Sequence, residues 1–209
     1  MSRFQVLAIV GLLFAQVFCS GQPESQAFDK ERNQQRIDWL LSVVAACYED
    51  LCANTGICQG KLEPMAFFNA DMPVVEQGSG CFPPSLNETR CLKDLAIGVW
   101  GLVEPFVFLN EHFGEYVEHV GAMHMLARAI AWDMRDHANR DLYEPFELPV
   151  PKPKMLPLLR RLTTWNKHIA AFNILRRIER FANDANRALS YMGGTDVATP
   201  ARPTPPSLV

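Results

Sequence analysis

Several common frameworks are missing from this chain. It has no His-Glu-x-x-His pair, no Gly-x-Ser-x-Gly elbow, no glycine-rich phosphate loop and no Cys-x-x-Cys. That removes the usual sequence signatures of metal hydrolysis, acyl transfer, nucleotide binding and structural zinc. An excess of either charge is lacking too. With 20 Lys and Arg against 23 Asp and Glu, the net charge of -3 leaves no basic footprint for nucleic acid. Beyond residue 21 no apolar run is long enough to span a bilayer, and there are no internal repeats of the kind that build solenoids.

What is present begins with Arg3, the apolar run Phe4 to Phe18 and then Cys19-Ser20-Gly21. This has the charged start, apolar middle and small-residue exit of a secretory signal peptide, and is too short to be comfortable as a membrane span. Residues 1–21 are therefore expected to be removed, residues 22–192 to form one folded domain, and residues 193–209, rich in proline, threonine and alanine, to be a disordered tail. The mature product is expected to be secreted, extracellular and not inserted in a membrane.

Five cysteines follow the leader: Cys47, Cys52, Cys58, Cys81 and Cys91. In an oxidising compartment they can pair in many ways, and the odd number leaves at least one unpaired. Cys52 with Cys58 and Cys81 with Cys91 are the short-loop pairings. In the chain-entropy picture each would contribute roughly 2–3 kcal/mol. Cys47, on the flank of an apolar stripe, reads as a buried free thiol.

Hydrophobic periodicity predicts four long helices. The first runs from about Asp29 to Leu51, with Ile37, Leu40, Leu41, Val44, Tyr48 and Leu51 inward and Arg32, Trp39, Val43 and Ala46 outward. Cys91 to about Phe113 is apolar nearly all round and should be the most buried, kinked by Pro105. Gly114 then marks a tight break. The third helix spans about Glu115 to Arg140, with Tyr116, Val120, Met123, Ala127, Ile130 and Met134 inward, Leu126 on the flank, and Ala129 and Trp132 outward.

The last helix, Leu162 to Met192, organises the rest. Ala171, Leu175, Ile178, Ala182, Ala185 and Leu189 make its apolar stripe. Arg176, Arg180, Asn183 and Arg187 lie opposite, and Trp165 stands off the stripe near the start. Its beginning is open: Pro157 fits a first turn, and so does a start near Thr163. Six arginines and one lysine between Arg160 and Arg187 face only Glu179 and Asp184, so an acidic partner would be steered to this end. Long, proline-rich connections precede the second and fourth helices, and a short one precedes the third. That long-short-long pattern predicts an all-α, up-up-down-down four-helix bundle. Asn87-Glu88-Thr89 adds a glycosylation sequon on the first long connection.

Candidates for catalysis are thin. His112, Glu115 and His119 flank the Gly114 break, Asp133 and His137 sit four apart, and His124 lies beside Met123. None forms a nucleophile–base pair or a metal-ligand motif, so packing or surface roles are favoured. Neither an enzyme nor a bound cofactor or metal is expected.

Two cysteine segments are more specific than the helix count. Cys52-Ala-Asn-Thr-Gly-Ile-Cys58, and Gly80-Cys81-Phe82 through Asn87-Glu88-Thr89-Arg90-Cys91-Leu92, resemble in spacing and neighbours the two disulfide loops of the interleukin-6 family of long-chain cytokines. Asn173-Ile174-Leu175-Arg176, Arg187-Ala188-Leu189 and Met192 are similar to the end of that family's last helix. The resemblance runs collinearly from about Asp29 to Met192.

It implies three receptor surfaces. A private receptor would meet Arg187, Phe82 and Leu86, with Arg180 and Asn183 on the same helix face. A shared signal-transducing subunit would meet Arg32, Trp39, Leu126, Ala129 and Trp132, and a second copy of that subunit would meet Trp165 and Met65. Inflammatory, immune-differentiation and acute-phase signalling is the implied role. Ser190 and Leu86 depart from relatives that carry arginine and an aromatic there. Competing readings are another long-chain helical cytokine, such as granulocyte colony-stimulating factor, and a lipid-binding helical bundle.

Overall fold

Asp29 caps the first helix, its carboxylate accepting a hydrogen bond from the Arg32 backbone N–H at 2.8 Å. A computed structural model of the chain describes residues 28–56, 72–76, 78–115, 120–150 and 155–192. In it α1 spans Lys30–Thr55, one turn further than the apolar stripe alone indicates. Asn87 caps the next helix in the same manner, accepting from the Arg90 N–H at 2.9 Å, and α2 runs over Glu88–Gly101. The remaining helices are α3 at Val103–Phe113, α4 at Val120–Ala138, α5 at Leu156–Arg160 and α6 at Thr164–Met192.

Where a single kinked helix is expected over Cys91–Phe113, the chain forms two, separated at Leu102. Pro105 is the cause. It has no N–H to give the Gly101 carbonyl, and its ring crowds that same carbonyl, so the break falls at the far end of the missing bond and not at the proline. The Leu102 N–H turns to the Val99 carbonyl at 3.1 Å, a tighter three-residue step.

The two possible starts of the last helix resolve in a similar way. Pro157 lies in the first turn of the short α5, and a new helix begins at Thr164. Gly114 caps α3 as expected, while the described part of the third long helix begins only at Val120.

Side-chain bonds fix the directions. The start of α1 meets the end of α4 through Arg32 and Asp133, and the end of α6 through Asp38–Asn186 and Gln34–Ser190. Trp100 near the end of α2 stacks on Trp132 of α4, and α2 and α3 both pack against α4. Thus α1 and the interrupted α2–α3 run one way while α4 and α6 run the other, the expected up-up-down-down bundle.

The stripes assigned to α4 from Val120 to Met134 and to α6 are all buried. Val43 departs from expectation: it is buried, not outward. Because α1 packs against both α4 and α6, its buried arc is wider than one stripe. The core is filled by large side chains such as Phe106 and Phe108, both 0% exposed, whose truncation to alanine typically costs about 3–5 kcal/mol. Gly98 is required by proximity, since a Cβ there would lie 2.6 Å from the Phe181 ring of α6. Cys47 is buried and free as expected. Burial, reinforced by Asp50, pushes its thiol up to about 12.

Candidate functional site

The Cys81–Cys91 disulfide forms, with both cysteines fully buried. It closes a loop that leaves Gly80 at φ 79°, a left-handed conformation suited to glycine. The Asn87 N–H donates to the Gly80 carbonyl at 2.7 Å, so the loop is tied at its base as well as through sulfur. This frame presents Phe82 beside the last turns of α6 and carries Leu86, 39% exposed, four residues further on.

There the Arg187 guanidinium lies 5.8 Å from the centre of the Phe82 ring. The Tyr191 ring meets Phe82 edge-on at 6.1 Å. Asp184, one turn back on α6, pairs with Arg187 and holds the side chain along the helix. Asn183 and Arg180 are exposed one and two turns earlier on the same face. Loop and helix, 105 positions apart at Phe82 and Arg187, therefore make one cationic and aromatic patch. Tyr191 escaped the sequence reading, although its place four residues after Arg187 was a usable signal.

A second cluster joins α1 to α4. Asp133 accepts from Arg32 Nη2 through both carboxylate oxygens, at 3.0 and 2.9 Å. It also accepts from Asn33 at 2.8 Å and Arg36 at 3.4 Å. Burial lowers the Arg36 pKa and Asp133 opposes that shift. Since the two helices are antiparallel, seven residues on from Arg32 brings Trp39 to the level of Leu126, seven residues back from Asp133. Trp39 is 39% exposed, Leu126 half-buried and Ala129 exposed.

Trp132 faces the other flank of α4. Its ring and that of Trp100 lie 6.1 Å apart, with the Arg128 guanidinium 5.3 and 5.5 Å from the two centres. The Trp100 indole N–H donates to the Pro149 carbonyl at 2.8 Å, which anchors the stack. Trp39, Leu126 and Ala129 thus lie by the seam between α1 and α4 and Trp132 on the opposite flank of α4, whereas Arg32 is engaged by Asp133 within the protein. Asp133, read from sequence only beside His137, and Trp100, not singled out, act on partners distant in sequence, while Arg128 was missed although it stands four residues before Trp132 on the same helix.

The third group is separate. Trp165 at the start of α6 is 56% exposed, and Leu158 of α5 is 64% exposed. Met65 lies outside the described residues, as do residues 1–21, Cys58 and residues 193–209. Cys52 is disulfide-bonded. Two histidines pack on aromatic rings: His112 lies against Phe108 and Phe113, and His137 against Phe28. Among the described residues no cluster of His, Cys, Asp and Glu could hold a metal ion, and no helix is long and apolar enough to cross a membrane.

Known proteins share this chain's sequence and fold. The viral interleukin-6 homolog of Human herpesvirus 8 type P (isolate GK18) is 34% identical over 88% of this chain and 90% of its own length. Interleukin-6 of Saimiri sciureus is 24% identical over 78% of this chain and 76% of its own length. A chain from a crystal structure of a cytokine/receptor complex is 36% identical and superposes with a TM-score of 0.74, covering 78% of this chain and 98% of that one. The model of the Interleukin-6/G-CSF/MGF family matches residues 19–192. By that match, and by the disulfide-framed patch on a four-helix cytokine bundle, the chain belongs to the Interleukin-6/G-CSF/MGF family.

Proposed function

We propose that this cytokine is secreted and signals by assembling receptors: a private receptor first, then a shared signal-transducing subunit, then a second copy of that subunit. The output is inflammatory, immune-differentiation and acute-phase signalling. The observation that carries the reading is the Arg187–Phe82–Tyr191 patch. A guanidinium held over an aromatic ring and rimmed by apolar side chains is the composition of a binding hot spot, and its fixed donors suit a receptor carboxylate. It is the surface for the private receptor, with Leu86, Arg180 and Asn183 around it.

The signalling subunit is assigned to the outer surface of α1 and α4 at Trp39, Leu126, Ala129 and Trp132. Arg32 contributes there by shaping the surface through Asp133. Trp165 is assigned to the second copy, with Met65 as its partner in the proposal. Such an assembly needs separate patches, and the three exposed tryptophans Trp39, Trp132 and Trp165 lie on three helices or helix flanks. Glycosylation at Asn87 is compatible with its capping role: the amide oxygen serves the helix, while a glycan would take the amide nitrogen.

The test is binding of the purified protein to an immobilised private interleukin-6 receptor, comparing wild type with Arg187→Ala. We expect a loss of about 2 kcal/mol or more with the helical circular-dichroism signal intact. Equal binding by both proteins would remove the anchor. Failure of folded wild type to bind any private receptor would overturn the assembly order and turn attention to receptors of the granulocyte colony-stimulating factor branch.

A further inference from the structure

The three tyrosines among the described residues have different surroundings. Tyr48 is 8% exposed and Tyr191 packs on Phe82, but Tyr143 is 100% exposed. It stands in the segment between α4 and α5, where residues 141–150 form no helix. That segment is tied down around its tip. Asn139 and Phe146 exchange two hydrogen bonds, Asn139 Nδ2 donating to the Phe146 carbonyl at 3.0 Å and the Phe146 N–H donating to Asn139 Oδ1 at 2.9 Å. The Lys93 ammonium sits 5.3 Å from the Phe146 ring, and Trp100 holds Pro149. None of these ties uses Tyr143 or Glu144. The phenol is thus held out on a short arch whose feet are fixed.

The arch is acidic. Asp141 lies two residues before Tyr143, Glu144 immediately after it and Glu147 four after it. The Glu147 side chain is 88% exposed, with Arg135 reaching it at 3.8 Å. Arg140 is the nearest basic residue in sequence. Pro145 keeps the backbone beyond the tyrosine out of a helix, as an enzyme that must thread the segment through its cleft requires.

We propose that Tyr143 is a sulfation site. The inference rests on the secretory part of the function proposed above, because tyrosine sulfation happens on chains in transit through that route. A tyrosine sulfotransferase binds a polyanionic phosphosulfate donor, so its cleft is basic and favours acceptors flanked by carboxylates. In the step itself the phenol oxygen attacks sulfur of the nucleoside phosphosulfate. The O–S bond to tyrosine forms, the S–O bond to the nucleoside phosphate breaks, and the phenolic proton passes to the enzyme's base. Nothing is oxidised or reduced. The product is an aryl sulfate with one permanent negative charge, unlike a phosphotyrosine, which titrates with a pKa of about 6. The modified arch would be a stronger lure for a basic partner surface.

The experiment uses purified, folded full-length chain with a tyrosine sulfotransferase and radiolabelled phosphosulfate donor. We expect wild type to be labelled on the peptide containing Tyr143, Tyr143→Phe to lose that label, and Asp141→Asn with Glu144→Gln to reduce labelling by about tenfold. Wild type labelled no better than Tyr143→Phe would overturn the proposal, as would equal labelling after the two acidic residues are neutralised. A parallel culture expressing the chain with its own leader in radiosulfate separates the two readings. Protein absent from the medium counts against secretion, whatever the purified reaction gives. Secreted protein without sulfate, or with phosphatase-sensitive phosphate at Tyr143 instead, counts against sulfation.

Discussion

Asp133 decides how Arg32 is to be understood. A carboxylate that collects Arg32, Arg36 and Asn33 is an internal clamp, and a receptor that drew Arg32 away would have to replace one of its bonds. We therefore expect Asp133→Ala to destabilise the fold by about 2 kcal/mol, because Asn33 and Arg36 are left with unmet partners. Thermal denaturation checks this. Arg32→Ala is expected to change affinity for the signalling subunit by less than about threefold, while Trp132→Ala costs about 2 kcal/mol; surface plasmon resonance on both variants would reverse the assignment if the order were opposite. Cys47 gives a cleaner case. Burial pushes its thiol up to about 12, so the thiolate that reacts with alkylating reagents is scarce at neutral pH. Native protein should resist labelling at Cys47 and accept it once unfolded in guanidinium, as peptide mass mapping would reveal.

At the level of elements, the division between α2 and α3 and the tight seam between α2 and α6 are linked. Gly98 lets the α2 backbone approach the Phe181 ring, and three residues later the Gly101 carbonyl loses its helical partner to Pro105. Gly98→Ala should destabilise by about 1–3 kcal/mol, since the ring must move for the added methyl. Chemical denaturation measures it; an unchanged midpoint would mean that Phe181 finds another rotamer at no cost. The proline was conspicuous in the sequence and a kink was expected from it, but the division into two helices at Leu102 was not, because the damage lies at the carbonyl four positions earlier. Stripes on α4 and α6 were legible because each repeats with the helical period. Val43 was not, since a wheel drawn for one neighbour cannot anticipate a helix wedged between two. The disulfide loop was legible from cysteine spacing. The Asp133 clamp was not, because its bonds join residues 97 to 101 positions apart, and Tyr191 was overlooked despite a readable four-residue step.

For the molecule as a whole, acid sensitivity follows from histidines that packing has claimed. Burial, with Lys167 adding to it, lowers the His112 pKa from its ordinary 6.5, and burial with Arg140 does the same for His137. Each is favoured neutral in the folded chain, so the unfolded chain binds more protons as the pH falls below 6.5. Their stabilisation is complete above that value and is lost as pH drops towards the lower folded values. The thermal midpoint should fall between pH 7 and 5, and a His112→Gln, His137→Gln protein should show a shallower fall. A slope unchanged by the double substitution would assign the acid sensitivity to carboxylates. The pairing of the first helix with the last has a further meaning during synthesis. α1 is made first, but Lys30 and Gln34 find Ser190 of α6, 160 and 156 positions later. At about 5–20 residues per second, roughly 8–30 s pass before that partner leaves the ribosome. Over that interval the apolar side of α1 that will face α6 has to be shielded by chaperones or by transient contacts with α4.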